Sequence, residues 1–115
     1  MKRDPLLYID DILGSIEKVE EYLKGMSHSQ FLEDTRTQDA VIRNIEIIGE
    51  AAKKIPQEIV DKYPHVPWSD AAAMRDVMIH DYPNIMIEEV WKTAQTNLLP
   101  FREQLLQVKR DLENQ

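Results

Sequence analysis

From Ile87 to Leu112, apolar side chains return at alternating steps of four and three residues: Ile87, Trp91, Ala94, Leu98, Phe101, Leu105, Val108 and Leu112. An α-helix completes a turn in about 3.6 residues, so this spacing gathers all of them into one stripe. A seam this regular has to be buried against another helix, either in the same chain or in a second copy. Pro100 stands inside the pattern without disturbing it, which predicts either a kinked helix or two abutting helices sharing one face.

The same period recurs upstream. Asp4 is a good N-cap and Pro5 suits a first helical position, so a helix is expected from about Asp4 to Lys24. Its stripe is Leu6, Ile9, Leu13, Ile16, Val19 and Leu23, and Gly25 suits the residue just past its end. Asp10, Asp11, Glu17, Glu20 and Glu21 fall mostly off the stripe and read as a solvated face. Residues 26–36 read as a polar connection with one short turn around Phe31 and Leu32. A second helix is expected from about Thr37 to Ile55 on Val41, Ile45, Ile48, Ala52 and Ile55. Pro56 stops it and can start a short helix through Tyr63. The run Pro64-His65-Val66-Pro67 is a stiff break, and Ser69 to about His80 is helix-like. Pro83 forces another break and biases Tyr82 towards an extended backbone, and Asn84 is a candidate cap for the last helix.

With only three glycines for tight turns, the chain reads as all-α, and its 115 residues read as one domain, 1–115. Hydrophobic residues at 43% and charged residues at 30% fit a folded core, not a disordered chain. The absence of cysteine excludes disulfides and thiolate metal sites. Asp4, Asp10 and Asp11 break the apolar run that a signal peptide needs after Met-Lys-Arg. No apolar stretch approaches the ~18 residues of a membrane span, so a cytoplasmic location and no membrane partner are expected.

The net charge of −7 weighs against non-specific nucleic-acid binding, but it is unevenly spread. Residues 1–35 hold eight acids and four bases, residues 36–75 six of each, and residues 76–115 seven acids and four bases. The excess is therefore strongest in the first helix, away from the segment with the most chemistry.

That segment runs from Trp68 to Pro83, and Arg75, Asp76, His80, Asp81 and Tyr82 crowd into eight of its positions. Asp76 and His80 are four apart and share a helix face, where a carboxylate orients an imidazole and favours its charged form. The same spacing also describes an ordinary surface ion pair of little energetic weight. Arg75 and His80 are five apart, about 140° around the wheel, so a continuous helix aims them differently. Either the helix unwinds near His80, or the site is assembled from two copies of the chain. Arg75 and Tyr82, seven apart, share a face if the helix reaches that far. Trp68 and Met74 read as core. His28 and His65 have no partner at metal spacing, so no metal and no cofactor are expected.

Arg75-Asp76-Val-Met-Ile-His80-Asp81-Tyr82 resembles the signature of the HEPN superfamily: arginine, a polar residue, variable positions, histidine, one residue, tyrosine. The run from Ile42 to Ala52, with Gly49-Glu50-Ala51-Ala52, resembles the HepT-like branch, as do Pro67-Trp68, Val90-Trp91 and Leu99-Pro100. The likeness spans nearly the whole chain, in order.

The resemblance implies a four- to five-helix up-and-down bundle that forms a homodimer, with both Arg/His motifs in one interfacial cleft. It implies a metal-independent RNA endonuclease, the toxin of a toxin–antitoxin pair whose antitoxin partner is a minimal nucleotidyltransferase. By that likeness an RNA 2′-hydroxyl attacks the adjacent phosphate, with His80 as general acid or base and Arg75 stabilising phosphate charge. Asp76 would orient His80. Tyr82 would contact RNA or receive AMP from the antitoxin, giving O-AMP-tyrosine. Gly49 would let two helices approach closely, since a glycine in a helix interior costs ~1 kcal/mol and wants a reason. The alternative is a non-catalytic HEPN subunit that docks a nucleotidyltransferase.

Overall fold

The computed structural model describes residues 3–80 and 87–115, the side chains of Val77, Ile79 and His80 excepted. The first three helices begin where a side chain meets the free N–H groups of a first turn. Asp4 accepts from the Leu6 N–H at 2.9 Å and opens α1, Pro5–Leu23. Lys24 ends α1, and Gly25 turns the chain at φ 74°, a conformation costly for any residue with a Cβ. Ser27 and Gln30 cap α2, His28–Leu32, reciprocally: the Gln30 N–H donates to Ser27 Oγ at 3.1 Å and the Ser27 N–H to Gln30 Oε1 at 2.8 Å. Asp34 accepts from the Thr37 N–H at 3.0 Å and from its hydroxyl at 2.7 Å, which starts α3, Thr35–Lys53, two residues before the expected Thr37. The second helix also ends two residues early, at Lys53, although Ile55 is still buried.

The short α4, Gln57–Lys62, follows Pro56, and α5, Trp68–His80, follows Pro67. After residues 81–86, which include Asp81, Tyr82, Pro83 and Asn84, come α6, Ile87–Thr96, and α7, Leu98–Glu113. Among the described residues the regular structure is entirely α-helical, five longer helices with two short ones, α2 and α4, between them. None of these helices is long and apolar enough to cross a membrane.

Helix α3 is central, packing chiefly against α1 and α5 and also against α2 and α6. Its burial is accordingly wider than one stripe. Val41, Ile45, Ile48 and Ala52 are buried as expected, and so are Ile42, Asn44 and Ala51 on other sides. Gln38, also buried, donates to the Phe31 and Leu32 carbonyls at 2.9 and 3.1 Å and so satisfies the end of α2.

The terminal seam is closed within the chain. Leu98, Phe101, Leu105 and Val108 are at most 3% exposed, and Ile87, Trp91, Ala94 and Leu112 pack against the same core. Helix α7 lies on α1, and α6 on α2 and α3. Of the two alternatives the spacing left open, the described residues show the first: the seam packs within its own chain, and its regularity is accounted for without a second copy. The seam is carried by two abutting helices sharing one face, one of the two forms expected. Their junction falls at Asn97, and Pro100 sits inside the first turn of α7, where its missing N–H would have had no intrahelical acceptor.

The acidic face of α1 is exposed but is not merely solvated. Asp10 meets Lys109 at 2.8 Å and Glu20 meets Arg102 at 3.7 Å, both across to α7, and Asp11 meets Arg3 at 2.7 Å.

Candidate active site on helix α5

The site begins with a missing side chain. A Cβ on Gly49 would overlap the Cβ of Arg75 and lie 2.9 Å from the Ala71 carbonyl oxygen. The glycine thus lets α3 and α5 meet backbone to backbone, as its place inside a helix suggests, and the residue it admits is Arg75 itself. Ala71, 2% exposed, is the other small residue at this crossing.

One turn beyond Gly49, on the same face of α3, stands Lys53. Its Nζ lies 3.3 Å from Asp76 Oδ1, and a guanidinium nitrogen of Arg75 lies 3.3 Å from that same oxygen. One carboxylate oxygen therefore accepts from two cations supplied by two helices. The side chains remain open to water, at 29% exposure for Arg75, 46% for Asp76 and 48% for Lys53. The hydrogen bond from Lys53 holds the Asp76 carboxyl below the usual aspartate range, with the charges of Lys53 and Arg75 adding to it. Asp76 is therefore a carboxylate at neutral pH, and the cluster carries one net positive charge inside an acidic chain.

Helix α5 runs without a break through His80, so the unwinding that could have turned His80 towards Arg75 is absent. The two positions remain about 140° apart on one helix. The His80 side chain, and with it the expected Asp76–His80 contact, lies outside the described residues, as does Tyr82. Of the motif, the structure brings together Arg75 and Asp76 and adds Lys53, which the sequence reading passed over. The available signal was Gly49: a glycine that marks a helix crossing also marks the residue four further on as a neighbour of that crossing.

The remaining candidates resolve into packing. Trp68 is 5% exposed, donates its indole N–H to the Tyr63 carbonyl at 3.1 Å and stands edge-on to Phe101. Met74 packs partly buried against the core. His28 stacks on Trp91 at 5.4 Å, and His65 stands edge-on to Tyr63. Burial pushes the Tyr63 phenol up, with the charge of Asp111 adding to it. Among the described residues no three His, Asp or Glu side chains gather closely enough to hold a metal ion. A cavity of about 490 Å³ between the start of α1, α4 and the end of α7 contains no residue of the motif.

Comparison with known proteins adds a family to this geometry. A family model described as Ribonuclease HepT-like matches residues 12–108, a span that holds Gly49, Lys53, Arg75, Asp76 and His80. A Methanocaldococcus jannaschii protein named "Putative RNase" is 38% identical over 112 residues, 97% of this chain and 97% of its own length. A Thermococcus cleftensis protein named "Probable ribonuclease HepT" is 42% identical over 98 residues, 85% of this chain and 89% of its own. Another M. jannaschii protein, named "Gamma-glutamylcyclotransferase and putative RNase", is 39% identical over 98% of this chain, which spans about half, 51%, of that relative. No solved structure matches. With the family model covering all but the two ends, the chain belongs to the ribonuclease HepT-like family.

Proposed function

We propose that this chain is a metal-independent RNA endonuclease, with Arg75 and His80 as its catalytic residues, acting in the cytoplasm as the toxin of a toxin–antitoxin pair. The observation that carries the reading is the family match, which spans the Arg75–His80 motif on a helix whose arginine is partly open to solvent. In the proposed step the RNA 2′-oxygen attacks the adjacent phosphorus and the bond to the 5′-oxygen breaks, leaving a 2′,3′-cyclic phosphate and a 5′-hydroxyl. One proton leaves the 2′-hydroxyl and one arrives on the 5′-oxygen. His80 handles one of these transfers, a role worth ~10²–10⁴ in rate. Arg75 binds the phosphate oxygens as negative charge builds on them. Asp76 supports His80 from one turn away.

The unbroken course of α5 favours a homodimer in which Arg75 and His80 meet across two chains, since one chain holds them about 140° apart. A minimal nucleotidyltransferase is the proposed antitoxin. It transfers AMP from ATP to the Tyr82 oxygen with release of pyrophosphate, and the added bulk and negative charge exclude RNA.

The deciding experiment expresses the chain alone and with Arg75→Ala or His80→Ala, then assays the purified proteins on RNA with and without EDTA. The wild type should arrest growth, cut RNA in EDTA and scatter light at twice 13.5 kDa. Each variant should keep its helical circular dichroism and lose both activities. Folded variants that stay fully toxic remove the site, and a wild type that neither arrests growth nor cuts RNA leaves a non-catalytic docking subunit.

A further inference from the structure

We propose that Lys53 is a second phosphate-binding cation of the Arg75 site, so that an RNA phosphodiester is held between Lys53 on α3 and Arg75 on α5. The inference rests on the RNase reading above and names a substrate contact that the motif itself does not contain.

Three observations support it. First, the two cations already converge. Lys53 Nζ and an Arg75 guanidinium nitrogen each lie 3.3 Å from a single oxygen, Asp76 Oδ1, so both donors reach one point at once. A phosphate oxygen is the same kind of acceptor as that carboxylate oxygen, and it takes charge-assisted bonds from both cation types. Asp76 thereby holds the two side chains in the free protein in an arrangement a phosphate can use. Second, Asp76 does not use up either cation. An ammonium has three donors and a guanidinium five, and Asp76 offers one negative charge against two positive. With nearly half of the Lys53 and Asp76 side chains exposed, a phosphate can enter without a large desolvation cost. Third, the backbone is built for the encounter. Gly49 sits one turn from Lys53 and admits the Arg75 Cβ where any side chain would exclude it, which holds α3 close enough for Lys53 to reach the motif.

An exposed ion pair that merely fastens α3 to α5 would look similar, and two measurements separate the roles. Binding of a short single-stranded RNA of mixed sequence is titrated at several salt concentrations on a His80→Ala background, which prevents turnover. Lys53→Met should weaken binding about tenfold, as expected for losing one exposed hydrogen bond to a charged group. It should also reduce the slope of log affinity against log salt by about 0.7, the value of one phosphate contact on a single strand. Lys53→Arg, which keeps the charge, should restore most of both. In the otherwise wild-type enzyme, Lys53→Met should raise KM and leave kcat nearly unchanged, because the contact exists before and during the reaction. A Lys53→Met protein with the wild-type affinity and salt slope overturns the proposal, whatever its thermal stability, and leaves the RNase reading standing. Absence of RNA binding by the wild-type chain overturns both.

Discussion

Two helix pairs in this small fold are built on opposite plans. Where α7 meets α1, both helices contribute large apolar side chains to the core: Ile9, Ile16, Leu105 and Val108 are all fully buried, and the charges stay at the rim. Those rim charges pair one to one, Asp10 with Lys109 and Glu20 with Arg102. Where α5 meets α3, the contact closes on a glycine and an alanine, and the charges are shared, two cations on one carboxylate oxygen. Large apolar side chains keep backbones well apart and derive stability from buried area. Small residues give up that area and bring the backbones, and the polar groups they carry, within reach of one another. The first plan makes a scaffold and the second makes a site, within one continuous core.

The scaffold should break hardest. Leu105 is fully buried on α7, and Leu105→Ala removes its packing from the helix that lies on α1. Such truncations cost about 2–5 kcal/mol, so urea melts should show a loss in that range. RNA cleavage per folded molecule should stay at the wild-type level. A selective loss of cleavage would mean that the two plans are not separable.

Gly49→Ala tests the other plan. Overpacking at the Arg75 Cβ should cost about 1–3 kcal/mol, reduced by the ~1 kcal/mol that alanine gains over glycine inside a helix. The stability change is thus smaller than for Leu105, while the activity change should be far larger. Displacing a catalytic group by a fraction of a helix diameter can cost ~100-fold, and a loss of about 10- to 100-fold in cleavage is expected for the folded variant. Normal cleavage by Gly49→Ala would show that Arg75 does not depend on this close approach.

How far each region could be read from sequence follows the same division. The start of α1 was legible because its causes are local: Asp4 and Pro5 act within one turn, and Gly25 takes the φ of 74° that few other residues adopt. The start of α3 is just as local, but a start at Thr37 passes over Asp34, whose carboxylate takes both the N–H and the hydroxyl of Thr37. The two abutting helices around Pro100 were legible too, but not their junction: proline is tolerated in a first turn, and α6 gives way to α7 at Asn97, three residues earlier. At the site, helical spacing could pair Asp76 only with residues three or four away, hence His80. The partner the fold supplies from α3, Lys53, is 23 residues distant, and periodicity carries no information at that range. Gly49 could be read as a close approach, but not as an approach to Arg75.

The smallest effect belongs to the rim of the scaffold. Lys109 meets Asp10 at 2.8 Å, with about a third of the lysine side chain and nearly half of the aspartate exposed. Exposed pairs of this kind are worth about 0.2–1 kcal/mol, so Lys109→Ala should lower the urea midpoint slightly and leave cleavage unchanged. The hydrogen bond to Asp10 raises the Lys109 ammonium above its ordinary range. A group whose pKa is raised by folding contributes its full stabilisation below the unfolded value, near ~10.4 for lysine, and loses it as pH rises through the higher folded value. The difference between wild type and Lys109→Ala should therefore hold steady from neutral pH to the lysine range and shrink above it. It should also shrink in about 1 M salt, where screening acts over roughly 3 Å. A difference that survives both treatments would belong to the lysine's alkyl stem lying on the α1–α7 seam, which is packing and not charge. In that case even the rim of this interface would follow the apolar plan, and the contrast with the shared charges at Lys53, Asp76 and Arg75 would be sharper.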